Sequence, residues 1–431
     1  MEKDISYLLS LQAVRQRAQL VFEAAQQGSL HSFEYDTSRL PEAAKFVISV
    51  IERDFGPDRF SEIPPHGRWQ HLDAGGVARV SQLLETWKAA GHDDKELTRR
   101  LIDLFFVSVL LDAGAGDVWR YKEPGSGQIY ERSEGIGIAS LYMFKSGAFS
   151  SDGSECFVDG KGLINLTDAA FEEHFQIAAE NPIVGVSSRV ALMNSIGHAL
   201  LAQSDIAGSS GRPGNIVDYL ISSASQPETV DFELLWATLQ KILIPAWPKN
   251  RTCIAGNYIG DAWPLRVLAD RAKGDGGVEA EVASVQPFHK LTQWLAYSLT
   301  VPFMRVLGYK VLNDNLGTGL PEYRNGGLFV DMGVLALKPD VLAKGRAASG
   351  QDLPMYPATS DTIVEWRAMT VSLLDELYKL VSQHFAEKGY TLTMAQVLEA
   401  GTWKGGRELA AKYRPTTKSS PILIDGDGTL F

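Results

Sequence analysis

The chain has 431 residues, 45% of them hydrophobic and 22% charged, with a formal net charge of −11. This composition is typical of a folded globular protein, and the acidic balance excludes the basic face that nucleic-acid binding requires. The two cysteines, Cys156 and Cys253, stand in unrelated contexts and predict neither a disulfide framework nor a Cys-x-x-Cys metal site.

The length exceeds the usual limit for one hydrophobic core. It predicts one large helical domain over residues 1–431, or two intimately packed lobes at about 1–165 and 166–431. No window is apolar enough to span a membrane, and the N-terminus lacks an apolar signal region. We therefore expect a cytoplasmic protein without membrane or nucleic-acid partners. The sequence does not indicate an oligomeric state.

Helical periodicity recurs along most of the chain, whereas strand patterns are few and short. The clearest strand is Ile422–Ile424, so the sequence predicts a mainly α protein. The predicted helices are Ile5–Gln27, Pro41–Phe55, Val77–Lys88, Lys95–Leu111, Ser133–Lys145, Phe171–Ala178, Ser187–Gln203, Gly214–Ser222, Asp231–Ile244, Leu265–Ala272, Pro287–Leu307 and Ser360–Phe385.

A polar loop, Ile63–Gly76, is unusually rich in hydrogen-bonding side chains, including His66 and Arg68. His66 and His71 do not have helical ligand spacing, and no Cys or third His lies nearby, so we predict no metal site. The loop ends in a Gly pair that leads into a helix. The amides of that helix would either receive an anion or simply begin an ordinary Gly-led helix.

A second loop, Ala113–Tyr121, is rich in Gly and follows Asp112 at a helix end. It lacks the preceding strand, the Gly-x-Gly-x-x-Gly spacing and the later ribose-binding acid of a dinucleotide site. It also lacks the Gly-Lys-Ser/Thr of a P-loop. Neither nucleotide motif is present, and we predict no cofactor.

The stretch Gly319–Gly333 brings acids, an arginine and an apolar run together. Its Pro-led turn is expected to place Glu322 and Arg324 near the surface of a cleft, before a buried segment at Leu328–Leu335. Asp331 interrupts that segment, and a buried carboxylate is costly unless it is hydrogen-bonded or functional. The stretch is either a candidate site or a turn followed by a core helix with one satisfied Asp.

The tail Ile422–Phe431 resembles the nucleophile motif of haloacid dehalogenase-type phosphatases. That chemistry needs the motif on the first strand of a Rossmann-like sheet, with further acids downstream. The chain ends at Phe431, and the upstream helices show no alternating strand and helix series. We interpret the tail as non-catalytic or as a segment held in the cleft. A phosphatase that uses Asp425 and Asp427 is the least favoured alternative.

Taken together, five motifs resemble those of the uracil catabolism protein 4 family. They are IPPHGRWQHLDAGG at Ile63–Gly76, LLDAGAGDVWRY at Leu110–Tyr121, RSEGIGIASLYMF at Arg132–Phe144, TGLPEYRNGGLFVD at Thr318–Asp331, and the DGTLF tail. The resemblance implies a role in uracil degradation, where ribosylated, ring-opened urea derivatives arise. It implies a hydrolase that releases urea, or a ureido compound, from a ribosyl or 5-phosphoribosyl group.

A more distant likeness is to queuosine-nucleotide glycosylases, a helical family related in fold to DNA glycosylases. The similar blocks are collinear and lie at Asp73–Val80, Asp112–Trp119, Leu320–Gly327 and Thr362–Arg367. The family's aromatic wall is replaced here by Gly114–Asp117, which implies a leaving group smaller or more polar than queuine. Its catalytic-block Asp is Glu322 here, one methylene longer.

The resemblance implies roles for individual residues. Glu322 would stabilise positive charge at the anomeric carbon or activate water, since N-glycosidic cleavage passes through an oxocarbenium-like state. Asp112 or Asp331 would hydrogen-bond the leaving urea, Trp119 would cover it, and a 5′-phosphate would bind Arg324, His66 or Arg68. Tyr323, which aligns with a family Tyr, and His289, at the start of Pro287–Leu307, complete the substrate-binding candidates.

One further alternative assigns structural roles to the same residues. Each candidate side chain also has an ordinary structural role: Trp119 in the core, Arg324 paired with Glu322, Asp112 at a helix end. The chain would then be a non-catalytic binding or scaffold subunit of the uracil-degrading pathway.

Overall fold

The computed structural model describes residues 2–112, 114–116, 118–272 and 277–426. Helices dominate these residues, which confirms the predicted mainly α class. The helices are α1 Glu2–Leu8, α2 Leu11–Gln26, α3 Leu40–Phe55, α4 Arg68–Leu72, α5 Arg79–Ala89, α6 Asp94–Leu110, α7 Arg132–Lys145, α8 Gly160–Ile164, α9 Asp168–His174, α10 Val186–Ala202, α11 Ser204–Ala207, α12 Ile216–Ser222, α13 Phe232–Ala246, α14 Arg266–Arg271, α15 Gly277–Ala283, α16 Lys290–Arg305, α17 Tyr323–Asp331, α18 Pro339–Ser349, α19 Asp361–Glu387, α20 Met394–Val397 and α21 Trp403–Tyr413.

The strands are two or three residues long. They are β1 Phe33–Tyr35, β2 Arg120–Lys122, β3 Ile129–Glu131, β4 Thr229–Asp231, β5 Cys253–Ile254, β6 Asn257–Tyr258, β7 Ala262–Pro264, β8 Val285–Pro287, β9 Lys310–Leu312, β10 Leu335–Leu337, β11 Met355–Pro357 and β12 Leu423–Asp425. They pair two by two, as β1 with β10, β2 with β3, β4 with β9, β5 with β6, β7 with β8 and β11 with β12. The β4–β9 and β11–β12 pairs are parallel.

The chain divides into two compact units. Among the described residues, unit 1 comprises those within 2–66, 250–290 and 315–426, and unit 2 comprises those within 67–249 and 291–314. The predictions of one large domain, of the two lobes and of a DNA-glycosylase-like fold stay predictions.

Unit 1 is built around the long helix α19, whose N-terminal two-thirds is buried. Helix α2 is tied to it by Arg15, whose Nε donates to Asp375 Oδ2 at 2.7 Å. Helix α17 approaches α19 through Gly326, where a Cβ would lie 2.8 Å from the Trp366 ring, so only Gly permits this contact. On its other side α17 packs on α21, because Gly406 leaves room for the Arg324 carbonyl.

In unit 2, α6 is buried over most of its length, as its apolar sequence predicts. Its first turn is capped by Asp93, whose Oδ1 accepts the Glu96 amide at 2.8 Å. Helix α10 packs closely on α8 through Gly197, where a Cβ would lie 2.4 Å from the Gly160 carbonyl oxygen. Across the described part of the chain, no helix combines the length and apolarity needed to cross a membrane.

Two local predictions are wrong in detail. Ile5–Gln27 is not one helix, because Ser10 ends α1 and its Oγ caps α2 at the Ala13 amide, 3.2 Å away. The segment Leu328–Leu335 is not buried throughout, since residues 330–332 at the end of α17 are only partly buried and Gly333, before β10, is exposed. Between α17 and β10, Gly333 has a φ of +71° and reverses the chain.

The anion alternative for the helix after Gly75 and Gly76 finds no support in the geometry. The helix starts at Arg79, and Asp73 Oδ1 already accepts the Val80 amide at 2.9 Å. A carboxylate of the chain itself therefore occupies the position that an external anion would take.

Candidate active site at the N-terminal end of helix α17

Glu322 immediately precedes helix α17 and is its N-cap residue. Its own amide donates to the Leu320 carbonyl at 2.9 Å, so a tight turn leads into the helix. Its side chain then caps the first turn, with Oε2 accepting the Arg324 amide at 2.7 Å and Oε1 accepting the Asn325 amide at 2.6 Å. Both carboxylate oxygens thus point at the positive end of the helix dipole.

The Glu322 side chain is buried, with 9% of its surface exposed, and Arg324 is 6% exposed. The expected position of this pair near the surface is therefore wrong. Burial raises the pKa of Glu322 above its usual value of 4.5, while the Arg324 amide and then the Lys290 charge act in the opposite direction. A buried carboxyl of this kind can change protonation state under milder conditions than an exposed one.

Asp261 and Arg367 hold the segments around Glu322 together. Arg367 donates through Nη1 and Nη2 to the two carboxylate oxygens of Asp261, at 2.7 and 2.8 Å. Its Nε donates to the Pro321 carbonyl at 3.2 Å, directly before Glu322. Asp261 Oδ2 also accepts the Lys290 amide at 3.0 Å. One buried ion pair therefore orients both Lys290 and the turn that carries Glu322.

The charge of Asp261 is stable within this arrangement. Burial acts to raise the pKa of Asp261, but the Arg367 guanidinium outweighs it and holds the pKa well below its usual range. The Arg367 guanidinium also lies 4.0 Å from the centre of the Phe288 ring, a cation–π contact. Arg367 and Asp261 thus form a fixed support rather than a proton donor or acceptor.

The other predicted site residues of this segment lie at the two ends of α17. Tyr323 and Arg324 are next to Glu322, with the Arg324 guanidinium 4.9 Å from the Tyr323 ring centre and its Nη1 donating to the Lys418 carbonyl at 2.9 Å. Asp331 is at the C-terminal end, roughly 13 Å further along the axis. There it accepts two hydrogen bonds of 2.6 Å from Arg414.

The two predicted histidines of unit 1 are both buried and engaged elsewhere. His66 Nδ1 lies 2.6 Å from Glu399 Oε2, in the π-helical turn Leu398–Thr402. His289 Nε2 lies 2.8 Å from the Leu8 carbonyl oxygen, and its backbone has a φ of +45°. Burial lowers the pKa of His289, so the neutral imidazole is favoured there.

Arg68, Asp112 and Trp119 belong to unit 2. Arg68 Nη2 donates to Asp112 Oδ2 at 2.7 Å, and the two form a fully buried ion pair. Burial lowers the pKa of Arg68, and the Asp112 charge opposes that shift. Trp119 is completely buried, donates to the Phe175 carbonyl at 2.8 Å and stacks on the Phe175 ring. In these contacts Arg68 and Asp112 are paired with each other, and Trp119 is a core residue.

The structure shows how possible metal ligands are arranged, and it describes part of the phosphatase-like tail. Within the described ranges, no three His, Cys, Asp or Glu side chains are grouped so that they could hold a metal ion. Asp425 ends β12, where it pairs with Pro357 of β11. Asp427 and the rest of the DGTLF tail lie outside the described residues.

A family model described as a protein of unknown function (DUF1688) matches residues 7–431. The chain belongs to this family. Protein urg3 of Schizosaccharomyces pombe is 47% identical over 429 residues, which cover 99% of both chains. Uracil catabolism protein 4 of Lachancea kluyveri is 43% identical over 445 residues, which cover 100% of this chain and 99% of that protein. These matches confirm the resemblance that the motifs predict.

In this DUF1688 chain, sequence reasoning missed the residues that surround Glu322. Asp261 lies in a loop with no recognisable pattern, and Lys290 looks like an ordinary residue at a helix start. Asn325 is inside a quoted motif but carries no charge that would single it out. The one available signal was Arg367, which the glycosylase-like block Thr362–Arg367 matches.

Proposed function

We propose that the protein acts in uracil catabolism as an N-ribosyl hydrolase, releasing urea or a ureido compound from a ribosyl or 5-phosphoribosyl group. The observation that carries the proposal is Glu322, a buried carboxyl with a raised pKa whose charge is balanced by Lys290 and Arg324. The printed name of the Lachancea kluyveri relative supports the pathway. The motifs shared with queuosine-nucleotide glycosylases support the bond that is cleaved.

In such a reaction the bond between the anomeric carbon and nitrogen breaks, and the electron pair leaves with the nitrogen. The sugar becomes oxocarbenium-like, and a water oxygen then bonds to the anomeric carbon. An ionised Glu322 would stabilise the cation or accept a proton from the attacking water. Because the two backbone amides already orient its oxygens, the carboxylate needs little reorganisation as charge develops.

The cations near Glu322 have two uses in this mechanism. Lys290 and Arg324 lower the pKa of Glu322 against the effect of burial and so favour the ionised form. Arg324 is also the candidate for a 5′-phosphate, since guanidinium groups bind phosphate oxygens in pairs. Asp261 and Arg367 act as positioning residues that fix Lys290 and Pro321 by the contacts given above.

The proposal is tested with Glu322→Gln and purified protein incubated with ribosylurea, its 5′-phosphate, uridine and UMP. Products are followed by mass spectrometry. We expect the wild-type protein to release urea and the variant to lose roughly 10²-fold to 10⁴-fold in turnover. Wild-type turnover should also rise with pH through the raised pKa of Glu322, because the ionised carboxylate is the active form.

Glu365→Gln is the matched control. Glu365 is also buried in unit 1 and also accepts backbone amides, from His31, Ser32 and Phe33 at 2.7–3.0 Å. Burial raises the pKa of Glu365 too. We expect this variant to lose stability but to keep the turnover of each folded molecule.

Retained turnover in Glu322→Gln would remove Glu322 from the mechanism. An inactive wild-type protein that co-purifies with a second protein would instead favour the scaffold alternative. Magnesium-dependent phosphate release that is lost on removal of the tail would favour the phosphatase alternative.

A further inference from the structure

Asn325 lies in the first turn of α17, and only 1% of its surface is exposed. Its backbone amide donates to Glu322 Oε1, and its side-chain Nδ2 donates to the Leu320 carbonyl at 3.1 Å. The Leu320 carbonyl can only accept a hydrogen bond, so the amide nitrogen must face it. This contact fixes the orientation of the Asn325 side chain and hence the position of Oδ1.

Asn325 Oδ1 is buried and accepts no hydrogen bond from any residue that the structure describes. Buried polar atoms are nearly always paired, since an unpaired one costs folding free energy. The apolar residue Leu would fill similar volume without that cost. An unpartnered acceptor at this position therefore points to a hydrogen-bond donor that is not part of the described chain.

The donor would meet Oδ1 at the N-terminal end of α17. The Asn325 side chain reaches back from the first turn to Leu320, which precedes the helix, and so lies over the end that Glu322 caps. At this end lie the cations around Glu322, namely Lys290 and Arg324, and the uncharged, unpartnered acceptor of Asn325. A ligand that binds here is selected for an N–H or O–H group.

We infer that Asn325 determines leaving-group specificity by accepting a hydrogen bond from an N–H of the ureido group. The identity of the ligand rests on the proposed function, in which the group released next to Glu322 is a urea. Each urea nitrogen that is not fully substituted carries an N–H, and Asn325 Oδ1 is the acceptor that the site offers it. A leaving group without N–H gains nothing from Asn325.

The inference is tested by binding rather than by turnover. The probes are 1,3-dimethylurea, which has two N–H groups, and tetramethylurea, which has none. Both carry methyl groups, so saturation-transfer NMR titrations report their affinities in the same way. We expect the wild-type protein to bind dimethylurea roughly tenfold more tightly, the effect of one hydrogen bond.

Asn325→Leu removes the acceptor at similar volume and should abolish this preference. Asn325→Ser is a second variant, whose shorter side chain no longer reaches the same position, and thermal unfolding identifies which variants are folded. Ser382→Ala is the control. Ser382 Oγ is also buried and unpartnered among the described residues, but it is roughly 24 Å along α19 from Trp366, the residue that packs on α17. It should leave the preference intact.

Equal affinity of the two ureas for the wild-type protein, or binding of neither, would overturn the inference. So would a preference that survives in every folded Asn325 variant. If the preference depends on Asn325 but ribosylurea is not hydrolysed, the inference stands and the proposed hydrolase activity fails. The two results are thus separable.

Discussion

Helix α17 carries a carboxylate at each end, and the two are stabilised in opposite ways. Asp331, at the C-terminal end, is paired through both oxygens with Arg414. Glu322, at the N-terminal end, has the helix's own amides as its hydrogen-bond donors. The helix dipole favours an acid at its N-terminus and disfavours one at its C-terminus, so Asp331 requires a full counter-charge and Glu322 does not.

This difference bears on the roles that Asp331 and Glu322 can have. A carboxylate that Arg binds through both oxygens is held in a fixed geometry. The Glu322 carboxyl is hydrogen-bonded by backbone amides, and burial raises its pKa. It can therefore exchange a proton. Of the two acids, Glu322 therefore fits the proposed catalytic role better than Asp331 does.

The largest stability effect is expected when the Asp331 pair is broken. Arg414→Met leaves Asp331, which is 7% exposed, without its counter-charge, and should lower the free energy of unfolding by about 3 kcal/mol. Urea denaturation measures this loss. Arg53→Met is the control, because the side chains of Arg53 and its partner Glu408 are 52% and 37% exposed, and the pair should contribute less than ~1 kcal/mol. Equal losses in the two variants would contradict the assigned role of Arg414.

Replacing both members of the pair should restore most of that stability. In Asp331→Leu with Arg414→Met no unpaired charge is left, so we expect a free energy of unfolding within about 1.5 kcal/mol of wild type. The same denaturation series completes a double-mutant cycle. Additive losses would show that the two side chains do not interact.

Removing the cap at the other end should have a smaller effect. Glu322→Ala leaves two amides of the first turn without their side-chain acceptor, and we expect a loss of about 1 to 2 kcal/mol near pH 4. Asp93→Ala, which removes a cap that accepts a single amide on α6, is the comparison and should lose less. Urea denaturation of both variants at the same pH shows which of them loses more stability.

The smallest expected effect is the change with pH in the stability that the Glu322 cap contributes. Since burial raises the pKa of Glu322, the folded protein retains a proton that the unfolded chain loses near pH 4.5. Stability from this group is therefore greatest below that value and decreases as pH rises through the folded-state pKa. The difference between wild type and Glu322→Ala should shrink from pH 4 towards pH 7. A difference that grows instead would contradict a raised pKa.

Helices were more predictable than strands because helical contacts are local. The Lys95–Leu111 pattern finds α6 within a residue at each end, whereas β1 pairs with β10 across three hundred residues and leaves no local pattern. Helix α21 is absent from the predicted set, since Gly405 and Gly406 lower its helix propensity. The Arg324 carbonyl requires Gly406 there, a tertiary reason invisible in the local sequence.

The residues of the site were predictable only where they lie together in one segment of the sequence. Glu322 and Arg324 stand together in a conspicuous motif, but their burial depends on α19 and α21, and the expected exposure was wrong. Asp261, Lys290 and Arg367 come from distant segments and meet only in the folded unit. The resemblance of one motif therefore identified the acid, whereas charge and spacing in the sequence did not identify the residues that support it.

The pairing of α2 with α19 also constrains how the protein is made. Arg15 and Asp375 are 360 residues apart, so α2 leaves the ribosome long before its partner exists. At typical elongation rates that interval is roughly 20 to 70 s. During this time the apolar face of α2, including Val14, Val21 and Phe22, lacks its native cover. The contact between α2 and α19 therefore forms only after Asp375 has been synthesised.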